Sequence, residues 1–272
     1  MNRERSQIFD RLQTQAEDLL GQTPTLFAYG IADPGEFPAL RDLQLAAYME
    51  PDLPPESYFH VEIRLETLLE EALAVPTAEA RILNGAPLTF AGAVLTAGRV
   101  IYSRSEDTRI AFEGRVRRTY LDLRHMLMSR QRPTEGAVTI RRDEIATELE
   151  KLQTYIGRLR GLQEVASTDP ITEGAARYFL QSAANCCLAI CLDLIAALKL
   201  RPPRDFTDIP EVLAEVGLLE ADSARELIRL IGIRNQLVHD PADGDPALFQ
   251  GLPAYMASLE NFVQVVRAKF LL

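Results

Sequence analysis

Very little in this sequence can cross-link it or hold a soft metal. Among 272 residues there are three cysteines and three histidines. Cys186 and Cys187 are adjacent and Cys191 follows within what reads as one apolar helix. That spacing forms no disulfide framework and lacks the paired C-x-x-C steps of a zinc site. His60, His125 and His239 lie far away in sequence, so the thiols are expected to be buried small hydrophobes in a reducing compartment. Neither a metal nor a cofactor is implied. Long apolar runs are also missing. The N-terminal MNRERSQIFDRLQ carries charges where a signal peptide needs its apolar core, and no uninterrupted apolar run approaches membrane-spanning length. A soluble cytoplasmic chain with no membrane partner is the expectation. Positive charge is scarce too. The 29 Lys and Arg against 39 Asp and Glu leave a net charge of −10. A surface of that sign repels polyanions on average, which argues against chain-wide attraction to nucleic acid and against a DNA partner.

What is present is ordinary globular composition, 47% hydrophobic and 25% charged, long enough for one large domain or two of typical size. The cations are unevenly spread. Between Arg99 and Arg142 come Arg104, Arg109, Arg115, Arg117, Arg118, Arg124, Arg130, Arg132 and Arg141, either a local basic patch able to bind RNA or a solvated helix face paired with neighbouring carboxylates.

The apolar period changes along the chain. Ile8, Leu12, Ala16 and Leu19 form a helical stripe that Gly21 and Pro24 stop. Thr25 to Tyr29 reads as a strand. Asp42 to Met49 and Phe59 to Leu65 alternate apolar with polar side chains, the pattern of half-buried strands with one wet face. Helical pattern follows from Glu66 to about Ala80, another strand or two from Leu88 to Ser103, and a long helix from Ser105 to about Ser129, opened by Glu106 and Asp107. Gln131 to Gly136 is a polar, Pro- and Gly-containing break. Beyond it the strand signal disappears. Ile145, Leu149, Leu152, Ile156, Leu159 and Leu162 form one stripe, and Asp169-Pro170 opens a helix apolar nearly all round to Leu200, which should be central. Asp208 to Gly217, Ala221 to His239 and the stretch after Asp245-Pro246 complete a five-helix bundle. The fold class expected is therefore an α+β N-terminal domain, a small mixed sheet with helices, followed by an all-α bundle. The boundaries expected are 1–130 and 138–272.

The stretch Ile233-Arg234-Asn235-Gln236-Leu237-Val238-His239-Asp240-Pro241 carries the most chemistry. A cation, an amide and an imidazole converge where Pro241 terminates a helix. At 100° per residue Asn235 and His239 share a face, and Arg234 lies about 140° from His239. Imidazole titrates near neutrality and can move the proton of a ribose 2′-hydroxyl. Guanidinium forks onto phosphate oxygens where charge accumulates, and neither task needs a metal. The same residues also make a dipole-stabilising cap with a surface ion pair.

The Arg-x-x-x-x-His spacing with Asn after the Arg resembles the HEPN domain, in particular the HepT-like toxins of toxin–antitoxin pairs. The resemblance extends to Leu200-Arg201-Pro202-Pro203, Val216-Gly217-Leu218-Leu219 and Leu230-Ile231-Gly232-Ile233. It implies an all-helical, homodimeric ribonuclease with RNA as substrate, in which Arg234, Asn235 and His239 are the site and both subunits line a cleft. One departure is Pro241, at a position where such toxins commonly carry tyrosine.

The first half resembles the companion of such toxins, a minimal nucleotidyltransferase of the MntA-like antitoxin kind. These domains carry a Gly-Ser turn and then Asp-x-Asp on a strand, whose carboxylates clamp magnesium against nucleotide phosphates. Here the corresponding residues are Asp42 and Gln44, an amide in place of the second carboxylate. Ala28-Tyr29 stands where Gly-Ser is expected, and a bulky Tyr29 would keep backbone amides from phosphate. Glu62 on the next strand is the candidate third carboxylate, with His60 the other position that could align. Gly98 to Tyr102, Arg109, Phe112, Tyr120, Leu121 and Asp122 also resemble the family. The resemblance implies a degenerate nucleotidyltransferase-like domain restraining a metal-independent endoribonuclease in cis. Two alternatives stay open: a non-enzymatic dimeric interaction or RNA-binding protein with two relic sites, and an active nucleotidyltransferase that modifies a partner.

Overall fold

The computed structural model describes residues 3–130, 142–163, 170–239 and 246–271. The chain divides into two compact units, Met1–Tyr120 and Leu121–Leu272.

The first unit is a four-stranded mixed sheet covered on both faces. Its strands are β1 (Thr25–Gly30), β2 (Leu45–Met49), β3 (Ala80–Ile82) and β4 (Arg99–Ser103), in the order β3-β2-β1-β4. β1 pairs antiparallel with β2 and with β4, and β2 pairs parallel with β3. A parallel neighbour needs a crossover, and α2 (Tyr58–Leu73) supplies it. α1 (Arg3–Leu20) and α2 cover one face, where Leu12, Ala16, Leu65, Leu69 and Leu73 meet Ala28, Leu45, Ala47 and Met49. On the other face α3 (Leu88–Ala97) and the start of α4 (Glu106–Arg130) bury Val94, Phe112 and Val116 against Phe27, Tyr29 and Ala46. Gly92 lets α3 approach α4 closely, since a Cβ there would lie 2.3 Å from the Tyr120 ring.

Three expectations need correction. Phe59 to Leu65 is the start of α2 and not a strand. Its side chains fit both period two and period four. The wider spacing wins because Leu65, Leu69 and Leu73 continue it into the core, while Phe59 and Ile63 are left 66% and 45% exposed. β2 begins only at Leu45 and is buried on both faces rather than wet on one, because helices lie on either side of the sheet. Leu88 to Ser103 is a helix followed by one strand; Gly98 ends the helix.

The second unit is helical: the end of α4, then α5 (Arg142–Gln163), α6 (Pro170–Ala197), α7 (Asp208–Glu215), α8 (Ala221–His239) and α9 (Pro246–Val266). The α5 stripe from Ile145 to Leu159 is buried as its spacing predicts. α6 packs against α5, α7, α8 and α9 and is the central helix. Asn185 and Asp193 interrupt it, yet Ile171–Ala197 is long enough to cross a membrane and contains a window of mean hydropathy 1.7. Its most apolar window is 67% buried inside the protein. Cys186, Cys187 and Cys191 are buried free thiols. Burial pushes Cys191 up to about 12 and Cys187 well above its ordinary value, so both remain protonated and inert near neutrality. The expected N-cap Asp169 lies outside the described residues.

Candidate functional site

α8 opens with Asp222 in its first turn, an acid at the positive end of the helix dipole. Leu227, Leu230 and Ile231 then line its buried face at steps of three and four. Arg234 continues that stripe, so the helix carries its guanidinium inward and leaves it 4% exposed. This core-facing position differs from the surface ion pair that the sequence also allows for Arg234. A buried guanidinium needs hydrogen-bond acceptors, and this one has them on three sides. Its Nε donates to Asn185 Oδ1 on α6 at 2.8 Å. Its Nη1 donates to Asp122 Oδ2 at 2.5 Å and to Asn235 Oδ1 at 3.1 Å. Its Cζ sits 5.1 Å from the centre of the Phe206 ring, within cation–π range. Asn235 thus turns toward Arg234. His239 is the last residue of α8, five residues and about 7.5 Å of helix rise beyond Arg234. Its imidazole, like Asp240 and Pro241, lies outside what is described.

Phe206 is held by its own loop. Asp208 accepts two parallel bonds from Arg201, both at 2.7 Å, and a third from the Arg204 backbone N–H at 2.7 Å. Arg201 also reaches Glu215 at 2.6 Å. The Arg201 guanidinium, more than any other group, holds the Asp208 carboxyl well below the usual carboxylate range. This fork closes the Arg201-to-Asp208 loop and fixes Phe206, 2% exposed, against the guanidinium.

In the first unit Tyr29, Gln44 and Glu62 are each engaged separately, and Asp42 is exposed. Tyr29 is buried, and its hydroxyl donates to Glu113 Oε1 at 2.8 Å. Burial and that bond raise its pKa well above the ordinary phenol value. Asp42 lies at an exposed bend before β2, near the Arg5 guanidinium that donates to the carbonyls of Leu40, Arg41 and Leu43. Gln44 also precedes β2, and its Oε1 accepts from the Glu79 N–H at 2.5 Å. Glu62 is on α2, where its Oε1 accepts from the Ile82 N–H at 2.9 Å. It is one of three carboxylates four residues apart: Glu66 takes the Ala80 N–H at 3.2 Å and Glu70 the Ala78 N–H at 3.1 Å. The Ala80 and Ile82 amides of β3, and that of Ala78 just before it, are thus satisfied by α2 along the outer edge of the sheet. Gln44 and Glu62, each committed to a backbone amide, do not fit a magnesium clamp, which needs at least two hard oxygen donors facing one point. Among the described residues no cluster of three His, Cys, Asp or Glu side chains could hold a metal ion.

Three arginines of the sequence patch pair with carboxylates. Arg104 pairs with Glu50, Arg109 with Glu106 and Glu113, and Arg117 with Glu113 at 3.0 Å. Arg132 and Arg141 lie outside the described residues. Sequence reasoning missed Asn185 and Phe206 at the Arg234 site, and it named Asp122 only within a family segment. The available signal for Asn185 was an amide in the middle of an otherwise apolar helix.

Residues 145–265 match the family model described as Ribonuclease HepT-like. Similar solved structures include a toxin–antitoxin crystallised with AMP-PNP, 21% identical over 47% of this chain and 99% of that one, with a TM-score of 0.45. A second is a tri-AMPylated Shewanella oneidensis HEPN toxin in complex with an MNT antitoxin, 21% identical over 47% and 98%, TM-score 0.44. A third is YutE, a cytosolic protein of unknown function from Bacillus subtilis, 23% identical over 47% and 89%, TM-score 0.42. No curated protein matches the sequence.

Proposed function

Since residues 145–265 form a HepT-like HEPN domain, we propose that the chain is a fused toxin–antitoxin-like protein. Its helical unit cleaves RNA without a metal, and its first unit is a nucleotidyltransferase-like fold that restrains the nuclease and no longer transfers nucleotides. The observation that carries this reading is the preorganised Arg234 guanidinium, fixed by Asn185, Asn235 and Phe206 on the same helix that His239 ends. In the proposed reaction His239 takes the proton of a ribose 2′-hydroxyl. The freed oxygen bonds to phosphorus while the bond to the 5′ oxygen breaks, and that oxygen leaves with a proton taken from water. Arg234 stabilises the charge gathering on the phosphate oxygens. The products carry a 2′,3′-cyclic phosphate and a 5′-hydroxyl. Two chains face their sites across a shared cleft, as the family resemblance implies, and Ile171 and Tyr178, 80% and 58% exposed, offer α6 surface for such a partner. For the first unit, support comes from Gln44, Glu62 and Tyr29, each committed to structural hydrogen bonds.

The test is cleavage of RNA in EDTA by the full chain and by the fragment from residue 138 onward, with the ends of the products analysed; restraint predicts faster cleavage by the fragment. Cyclic phosphate ends that disappear in both Arg234→Ala and His239→Ala are expected. Cleavage that strictly requires magnesium, or that persists in either variant, overturns the mechanism. The reading as a binding protein with relic sites rests on the deep burial of Arg234, and RNA binding with no cleavage by any form would favour it.

A further inference from the structure

A phosphate can fork onto a guanidinium along two edges, Nε with one Nη, or the two Nη together. At Arg234 one nitrogen of each edge is already in use. Nε is held by the neutral amide of Asn185, and Nη1 by the charged carboxylate of Asp122. A carboxylate offers two oxygens and one negative charge, much as a phosphodiester does. Asp122 is also the more open member of the pair, 25% exposed against 4% for Arg234. It therefore stands on the solvent side of the cation. It comes from α4, upstream of the segment that matches the family.

We infer that Asp122 is an internal substitute for the RNA phosphate, occupying the anion position at Arg234 and holding the site shut. The inference rests on the nuclease reading for its biological meaning, but the occupancy itself is a matter of anion binding. RNA engages Arg234 only when the end of α4 withdraws its carboxylate. Asn185, Asn235 and Phe206, which carry no charge, then keep the guanidinium aimed. Other groups near Arg234 do not compete in this way, because an amide oxygen bonds an N–H without neutralising the cation.

The experiment compares full-length wild type, Asp122→Asn, Arg234→Ala and the double variant. Binding is read with a fluorescent 2′-O-methyl RNA dodecamer, which lacks the nucleophilic hydroxyl, and cleavage with the unmodified RNA. Asp122→Asn keeps an oxygen for Arg234 and removes the charge. It should bind the probe about tenfold more tightly, the effect of gaining one charge-assisted contact, and should cleave faster. Asp122→Glu should resemble wild type. Asp122→Ser repeats the neutral test with a smaller side chain should the amide disturb folding, which thermal melting reports. A gain that vanishes in the Asp122→Asn, Arg234→Ala double variant supports the inference. Unchanged or weaker binding in both neutral variants overturns it. So does a gain that survives in the double variant, which would mark a general loss of surface negative charge. An Arg234-dependent gain in binding with no cleavage by any form supports the occupancy and sinks the nuclease reading. Cleavage that depends on Arg234 and His239 yet ignores Asp122 does the reverse.

Discussion

Replacing Asp208 by alanine tests whether the loop before α7 is what sets Phe206 against Arg234. In the native loop the carboxylate, only 2% exposed, receives both Arg201 bonds at 2.7 Å and the Arg204 backbone N–H at 2.7 Å, with longer contacts to the Arg204 side chain at 3.3 and 3.4 Å. Removing one member of a buried ion pair costs about 3–5 kcal/mol when the other is left stranded. Arg201 is not stranded. It is 35% exposed and retains Glu215, so the lower end, about 3 kcal/mol, is expected, and for a unit of this size that lowers the melting temperature by roughly 6–12 °C. Asp208→Asn keeps one acceptor and should lose about half as much. The pH dependence follows from the sign of the shift. The folded pKa of Asp208 is depressed, so its stabilisation is complete above the unfolded value of about 3.9 and is lost as pH falls toward the folded one. Thermal or urea unfolding followed by circular dichroism should give a wild-type-to-variant gap that is constant from pH 5 to 8 and narrower at pH 3. A gap below about 1 kcal/mol at pH 7, or one undiminished at pH 3, would refute the reasoning.

Two further outcomes follow from the first unit. Incubating the chain with ATP and magnesium should leave its intact mass unchanged, because Gln44 is tied to Glu79 and Glu62 to Ile82; a gain of one AMP unit that Asp42→Ala abolishes would show a working transferase. Glu66→Ala should destabilise the sheet by about 1–3 kcal/mol in urea, since it strips the Ala80 N–H and the Arg81 side chain of an acceptor. A loss within 0.5 kcal/mol, the range of an inert surface site, would contradict that role.

The helical half was the more legible, for a physical reason. Stripes such as Ile145 to Leu159 repeat over about four turns, and only one structure satisfies so long a period. Short windows carry less. Phe59-His60-Val61-Glu62-Ile63-Arg64-Leu65 fits a strand and a helix equally, and only contacts beyond it, Leu69 and Leu73 reaching the core, decide between them. The same misreading placed Glu62 on a strand face, when its spacing to Glu66 and Glu70 is the helical signal. At the site, Arg234 and Asn235 were visible because their residue types are unusual at the end of an apolar stripe. Asp122 and Asn185 were not, since they lie 112 and 49 residues from Arg234 and no local period links positions so far apart.

The carboxylate row on α2 also bears on the order in which the first unit assembles. β3 has three residues, and its partner β2 ends 31 positions before it begins. A parallel pairing so short and so distant in sequence returns little for the loop it must close. α2 needs no such closure, because a helix forms from near neighbours. Once it rests on β2, the amides of the incoming segment find acceptors on both sides: β2 carbonyls on one and Glu62, Glu66 and Glu70 on the other. The strand would then be laid into a slot already lined for it, and we expect helix docking to precede strand pairing, which φ-values at Leu69 and Ile82 would check.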